Sequence, residues 1–167
     1  REAEFCPAEG RTACRVALMD YGVKASMIRC LQRRGCAVTV YPAHTPAETV
    51  LSGGFDGVML SNGPGDPADN EDIIREVKKL YDADLPLFAV CLGHQLLALA
   101  TGAKTRKMRF GHRGGNHPVK DLAGGRVFIT SQNHGYAVMA DTVDPVVARV
   151  SHINVNDGGV EGLEYLR

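Results

Sequence analysis

The sequence predicts an α/β fold in which a doubly wound, mostly parallel sheet is flanked by helices, with antiparallel ribbons in the second half. Two observations support this prediction. Up to Gly102, short apolar segments alternate with helical patterns, which is typical of parallel strands joined by right-handed helical crossovers. After Gly102, strand-like runs are separated by glycine, asparagine and aspartate, which favours antiparallel pairing.

The elements of the parallel half follow in order from their patterns. After a polar lead-in over residues 1–14, apolar segments predict four buried strands: Cys14–Met19, Cys36–Tyr41, Phe55–Leu60 and Leu87–Val90. Capping residues and helical periodicity predict three helices between them: Val23–Arg34, a short helix opening at Thr45 and Pro46, and Asn70–Tyr81.

The second half is predicted to contain short strands, namely Lys104–Arg109, His117–Lys120, Arg126–Thr130, Tyr136–Met139 and Val146–Val150. The glycine-rich stretch that holds His112 and His117 is expected to be a loop, and His134 is expected to lie in a turn. At 167 residues, the chain is long enough for one domain that buries about 70% of its unfolded surface.

Composition excludes several classes of function. Lysine plus arginine and aspartate plus glutamate both number 19, so no net field would attract nucleic acid or an anionic membrane. The sequence has no apolar run of the roughly 18 residues that a membrane span needs, and residues 1–7 lack a signal-peptide core. Five cysteines without C-x-x-C spacing indicate reduced thiols, so we expect a cytoplasmic protein.

Cys91 lies where the fourth predicted strand ends and a helical pattern begins. Such an abrupt turn presents a side chain at the carboxyl edge of the sheet, and small residues flank it at Ala89 and Gly93. The free N–H groups of the helix would favour the thiolate, so we interpret Cys91 as a nucleophile. The alternative is a buried cysteine that fills space between a strand and a helix.

The loop Asn62–Pro67 follows the third strand and would open onto the same sheet edge as Cys91. Backbone N–H groups of Leu92 and of the Gly63–Gly65 segment are therefore candidates for an oxyanion hole. Taken alone, the segment is more typical of a plain turn, and its position beside the Cys91 turn favours function. Gln95 lies one helical turn past Cys91, near the same position. The polar segment Gln132–Tyr136 either presents backbone groups to a small polar ligand or is a hairpin turn.

A cysteine nucleophile requires a base, and the sequence does not identify one among its six histidines. His94 and His134 are the first candidates. We predict no metal site, since His112, His117 and Cys91 lack standard zinc-ligand spacing.

Two of these segments together resemble the class I (triad-type) glutamine amidotransferase family: Cys91–Gln95 (CLGHQ) and Asn62–Pro67 (NGPGDP). Two more, Phe110–Val119 and Ser131–Val138, resemble the branch of that family formed by the small, glutamine-hydrolysing subunits of carbamoyl-phosphate synthases. The resemblance extends from Arg15 to the last residue.

The resemblance implies a flavodoxin-like sheet and hydrolysis of the side-chain amide of L-glutamine through a cysteinyl thioester. Ammonia would pass to a large subunit that makes carbamoyl phosphate for arginine and pyrimidine synthesis, in a heterodimer or a higher oligomer. ATP and magnesium would belong to that partner, and this subunit would need no cofactor.

Carried over by motif, the resemblance assigns Cys91 as the nucleophile and Gly63 and Leu92 as the oxyanion hole. It assigns glutamine binding to a larger set of residues: Gly63, Gly65, Leu92, Gln95, Asn133, Gly135 and Tyr136.

Three departures from the family pattern affect what we expect. Ala89 stands where the family usually has glycine, which predicts a slightly tighter turn. The Gly-His-Pro-Glu stretch that carries the family's catalytic histidine and glutamate does not occur up to Arg167. We also expect residues 1–14 to be a linker from a missing amino-terminal domain and residues 15–167 to be a truncated amidotransferase domain. Steady glutamine hydrolysis by these residues alone should be nearly absent.

Two other classes of function fit part of the pattern. A cysteine-elbow hydrolase, redox sensor or repair protein would need the Cys91 turn but not the Gly63–Gly65 loop. A non-catalytic regulatory or docking subunit would need neither Cys91 nor Gln95.

Overall fold

The computed structural model describes residues 2–166, which pack into two compact units. The first unit contains residues 2–65 and 69–97, and the second contains residues 66–68 and 98–166. Among the described residues we find no helix with both the length and the apolar character needed to cross a bilayer.

The first unit is built on a five-stranded sheet. Its strands are β1 (Glu4–Cys6), β2 (Cys14–Asp20), β3 (Cys36–Pro42), β4 (Gly57–Leu60) and β5 (Leu87–Ala89), in the order β1-β3-β2-β4-β5. Its helices are α1 (Ala25–Gln32), α2 (Ala47–Leu51), α3 (Glu71–Asp82) and the first part of α4 (Leu92–Ala100). Strands β2 to β5 pair in parallel and β1 pairs antiparallel with β3, so the predicted mostly parallel sheet is confirmed.

The four parallel strands take a doubly wound order. Strand β3 lies on one side of β2, and β4 and then β5 follow on the other side. The core is formed by Leu18, Val38 and Met59 from three neighbouring strands, all of them buried. Burial of central strands explains why they read as continuous apolar runs rather than alternating patterns.

Several element boundaries in the first unit differ from prediction by one or two residues, and one strand was missed. Helix α1 begins at Ala25 rather than Val23 because the Asp20 carboxylate accepts hydrogen bonds from the N–H groups of Gly22 and Val23, which holds a turn before the helix. Strand β1 lies within the lead-in over residues 1–14 and was not predicted.

The second unit contains a four-stranded antiparallel sheet around Ala98, Ala103, Val138 and Val160. Its strands are β6 (Thr105–Asp121), β7 (Val127–Val138), β8 (Ala148–Asn154) and β9 (Val160–Tyr165), in the order β7-β6-β8-β9. The predicted antiparallel character is confirmed.

The expected loops around His112 and His134 are wrong, because both residues lie within paired strands. Strands β6 and β7 replace four short predicted strands and stay paired through two register shifts, which absorb the glycine-rich residues as irregularities in the ladder. The fifth predicted strand, Val146–Val150, is observed at Ala148–Asn154, and β9 was not predicted.

Candidate active site

Cys91 occupies a sharp turn between β5 and α4, as the sequence predicts. Its φ of 54° is uncommon for a residue with a side chain, and such backbone strain persists only where the surroundings hold it. Here the sheet holds it: the N–H of Val90 donates to the Leu60 carbonyl, and the N–H of Gly93 donates to the Ser61 carbonyl, both at 3.0 Å. The turn is therefore tied on both sides to the end of β4.

Glycine is required at position 93 by close packing. A Cβ atom there would lie 2.4 Å from the carbonyl oxygen of Leu60, and this neighbour is backbone that cannot rotate away. Ala89 ends β5 opposite Leu60 in the ladder and is half-buried, so the sheet accommodates its methyl group.

The loop after β4 packs against the loop after β2. A Cβ atom at Gly63 would lie 2.2 Å from the Tyr21 carbonyl oxygen and 2.7 Å from a methyl group of Leu92, so only glycine fits. The buried hydroxyl of Ser61 accepts the Tyr21 N–H at 3.0 Å, and the Asn62 amide donates to the Gly22 carbonyl at 2.9 Å. These contacts fix the Gly63 backbone relative to the sheet edge.

The sulfur of half-buried Cys91 receives hydrogen bonds from the backbone N–H groups of Leu92 and Gly63. Burial raises the pKa of this thiol above its ordinary value, while the two N–H groups and the positive charge of Lys24 lower it by less. The N–H groups thus favour the thiolate, as the sequence predicts, but burial has the larger effect in the opposite direction.

The structure brings part of the predicted site together in the first unit. Cys91, Gly63 and Leu92 are in direct contact, and Gly65 lies in the same loop with a φ of 99° that favours glycine. Gln95 is buried, and its N–H donates to the Cys91 carbonyl at 3.1 Å. The remaining predicted residues, Asn133, Gly135 and Tyr136, lie on β7 in the second unit.

Sequence reasoning missed the residues after β2. Asp20 caps the turn that follows, Tyr21 and Gly22 contact the Asn62–Gly65 loop, and Lys24 acts electrostatically on Cys91. Their position in the sequence could have indicated them. This polar stretch follows the first parallel strand, so it opens onto the same carboxyl edge of the sheet as the Cys91 turn and the Asn62–Pro67 loop.

The second unit contains a buried polar cluster that the sequence did not predict. His112 contacts Glu161 and Asp157, each at 2.8 Å, and His134 lies 3.4 Å from Glu161. The contact with Glu161 raises the pKa of His134. His134 was one of the candidate bases. Its Nδ1 donates a hydrogen bond to the Tyr136 carbonyl at 2.8 Å.

Comparison with known proteins shows which family has this sequence pattern. A family model described as glutamine amidotransferase class-I matches residues 17–167. The carbamoyl phosphate synthase small chain of Listeria monocytogenes is 54% identical over 159 residues, which are 95% of this chain and 43% of that protein. The corresponding chain of Yersinia pseudotuberculosis is 55% identical over 148 residues, or 89% of this chain and 38% of that protein. The chain thus spans less than half the length of these relatives.

Solved structures support the fold. A proposed GMP synthase component from Thermoplasma acidophilum matches with a TM-score of 0.77 at 20% identity, over 90% of this chain and 77% of that one. A glutamine amidotransferase from Thermotoga maritima matches with a TM-score of 0.70 at 16% identity, over 90% and 71% of the two chains.

Proposed function

Because the chain belongs to the glutamine amidotransferase class-I family, we propose that it carries the nucleophile and oxyanion hole that release ammonia from the side chain of L-glutamine. The observation that carries the proposal is the convergence of two backbone N–H groups, from Leu92 and Gly63, on the sulfur of a strained Cys91.

In the proposed reaction, the Cys91 sulfur attacks the amide carbon and the carbonyl oxygen becomes an oxyanion. The N–H groups of Gly63 and Leu92 then stabilise that negative charge, which develops next to the sulfur. The carbon–nitrogen bond then breaks. The amide nitrogen takes up the proton that the thiol gave to the base and leaves as ammonia. Water hydrolyses the resulting thioester, which yields glutamate and restores the thiol.

The protonation state of Cys91 defines what else the reaction needs. Since the raised pKa keeps Cys91 a thiol at neutral pH, a base must accept its proton when the sulfur attacks. The triad chemistry that the family pattern implies would meet this need, with a histidine and a glutamate serving the cysteine. Gln95 and Gly65 would contact glutamine, and roles for Asn133, Gly135 and Tyr136 remain predictions from the family pattern.

We propose that the protein acts as its relatives' name indicates, as the small chain of a carbamoyl phosphate synthase. It would deliver ammonia to a large subunit that uses ATP and magnesium, in the cytoplasm, for arginine and pyrimidine synthesis. The small chain itself would need no cofactor for amide hydrolysis.

Labelling of Cys91 by a diazo-ketone analogue of glutamine tests the proposal without requiring turnover. Intact-mass and peptide analysis should locate the adduct on Cys91, and saturating L-glutamine should slow its formation. Exposed Cys30 provides an internal control, because its reaction with iodoacetamide should not respond to glutamine. If glutamine leaves the labelling of Cys91 unchanged, the proposal fails and an elbow hydrolase or redox protein becomes the better interpretation.

A further inference from the structure

We propose that the second unit binds one divalent cation of the zinc type through His112, His134 and Glu161. The three side chains come from β6, β7 and β9. They are therefore far apart in the sequence and do not form a short metal-binding motif. Their candidate ligand atoms all lie within 4.8 Å of one another.

Both ring nitrogens of His112 face carboxylates. Nε2 lies 2.8 Å from Oδ2 of Asp157 and Nδ1 lies 2.8 Å from Oε1 of Glu161, and an ionised carboxylate only accepts hydrogen bonds. A metal ion bound at Nδ1 would take the place of the proton shared with Glu161 and would leave Nε2 to donate to Asp157. A carboxylate on the far nitrogen is the usual partner of a metal-bound histidine.

His134 also directs one nitrogen into the cluster. Its Nδ1 lies 2.8 Å from the Tyr136 carbonyl, an acceptor only, so Nδ1 carries a proton and donates it there. Its Nε2 is buried and lies 3.4 Å from Oε2 of Glu161. That distance exceeds the range of a good N–H···O hydrogen bond.

Two imidazole nitrogens and a carboxylate therefore face one another in a desolvated place. The side chains of His112, His134 and Glu161 are 9%, 12% and 7% exposed. Such an arrangement needs a positive centre, either extra protons on the rings or a metal ion. The amide nitrogen of buried Asn154 donates to Oε1 of Glu161 at 3.2 Å and lies 3.4 Å from Nδ1 of His112, so it fixes these two groups relative to each other.

The spacing suits zinc. Zinc–nitrogen and zinc–oxygen bonds of about 2.0–2.1 Å in a tetrahedron place ligand atoms roughly 3.3 Å apart, and two histidines with one glutamate are a common zinc donor set. The histidine nitrogens lie 2.8 Å and 3.4 Å from the two different carboxylate oxygens of Glu161, and the three ligand atoms lie within 4.8 Å of one another, so side-chain shifts of about an ångström would bring them to that spacing. A fourth position would be taken by water.

Cobalt(II), which substitutes for zinc and is coloured, tests the proposal on the intact 167-residue chain. One equivalent should produce the visible d–d absorption of a four-coordinate ion, without a sulfur-to-cobalt charge-transfer band, and zinc should bleach it. If the absorption is absent, protons fill the cluster and the proposal is overturned. A charge-transfer band would place the ion on a cysteine and overturn it equally.

Variants locate the ion. Glu161→Gln and His134→Gln should each weaken binding of zinc by at least about 100-fold, and Asp157→Asn by about 10-fold. Glu164→Gln on the same strand and His152→Gln on β8 remove the same groups outside the cluster and should bind like the unchanged chain. Unchanged zinc binding in Glu161→Gln would refute the site, and the cobalt spectrum of the unchanged chain decides the matter if the variants do not fold.

Discussion

Replacement of Gly63 by alanine probes the oxyanion hole most directly. The added Cβ would lie 2.2 Å from the Tyr21 carbonyl oxygen, whereas an ordinary contact is 3.4 Å or more, so the two backbones must separate by about 1.2 Å. The Tyr21 backbone is held by its hydrogen bond to buried Ser61, so the Gly63 segment has to move. A displacement of this size carries the Gly63 N–H away from the Cys91 sulfur.

The expected loss follows from what one donor contributes. Removal of a single oxyanion-hole donor costs about 10²–10³ in rate, or about 2.7–4 kcal/mol of transition-state stabilisation. We therefore expect Gly63→Ala to slow labelling of Cys91 by the diazo-ketone analogue of glutamine at least about 100-fold. Strain at the contact should also lower the free energy of unfolding by about 1–3 kcal/mol.

The assay compares two reagents on the same sulfur. Iodoacetamide does not form an oxyanion, so its rate with Cys91 should fall much less than that of the glutamine analogue. Gly115→Ala is the matched control, because its Cβ would meet open space and its backbone needs no positive φ. Labelling of Gly63→Ala by the analogue at the unchanged rate would refute the assignment of this N–H to the oxyanion hole.

Three further outcomes follow from the first unit. Gly93→Ala forces a Cβ to within 2.4 Å of the Leu60 carbonyl, so urea denaturation should show a loss of about 1–3 kcal/mol, and an unchanged midpoint would contradict the packing. Because burial raises the pKa of Cys91, its rate of alkylation should still increase about tenfold per pH unit at pH 8 to 9, and a plateau below pH 8 would contradict the raised pKa. Glu76 accepts the Ala47 N–H at 2.7 Å, which lowers its pKa; the resulting stabilisation is present above the ordinary glutamate pKa and lost as pH falls through the lowered one. Glu76→Gln should therefore reduce stability at pH 7 but not at pH 2, as measured by thermal unfolding at both values.

The parallel half of the fold was predictable because its signals are local. An apolar strand buried on both faces and a helix with one apolar stripe are each read from a dozen neighbouring residues. The same holds for the Cys91 turn and the Asn62–Pro67 loop, where residue order alone places glycine beside the positions that need close backbone packing. The resemblance to the class I family depended on these same segments, whereas the segments that indicate the branch, Phe110–Val119 and Ser131–Val138, lie in the second half.

The second half was less predictable because its structure depends on pairing between distant segments. Around His112 and His134, glycine and asparagine indicate turns, but the paired strands retain them as irregularities. Nothing near Glu161 in sequence marks it as a partner of histidines that precede it by several strands and turns.

The order of residues by itself determined the α/β class, the position of the sulfur at a strand-to-helix turn and the loop that faces it, because backbone sterics and hydrophobic periodicity act over short stretches. Tertiary structure alone decided that the pKa of Cys91 is raised, since this pKa depends on how deeply the surrounding chain buries the thiol. It alone also assembled His112, His134 and Glu161, because strand register determines which distant side chains meet.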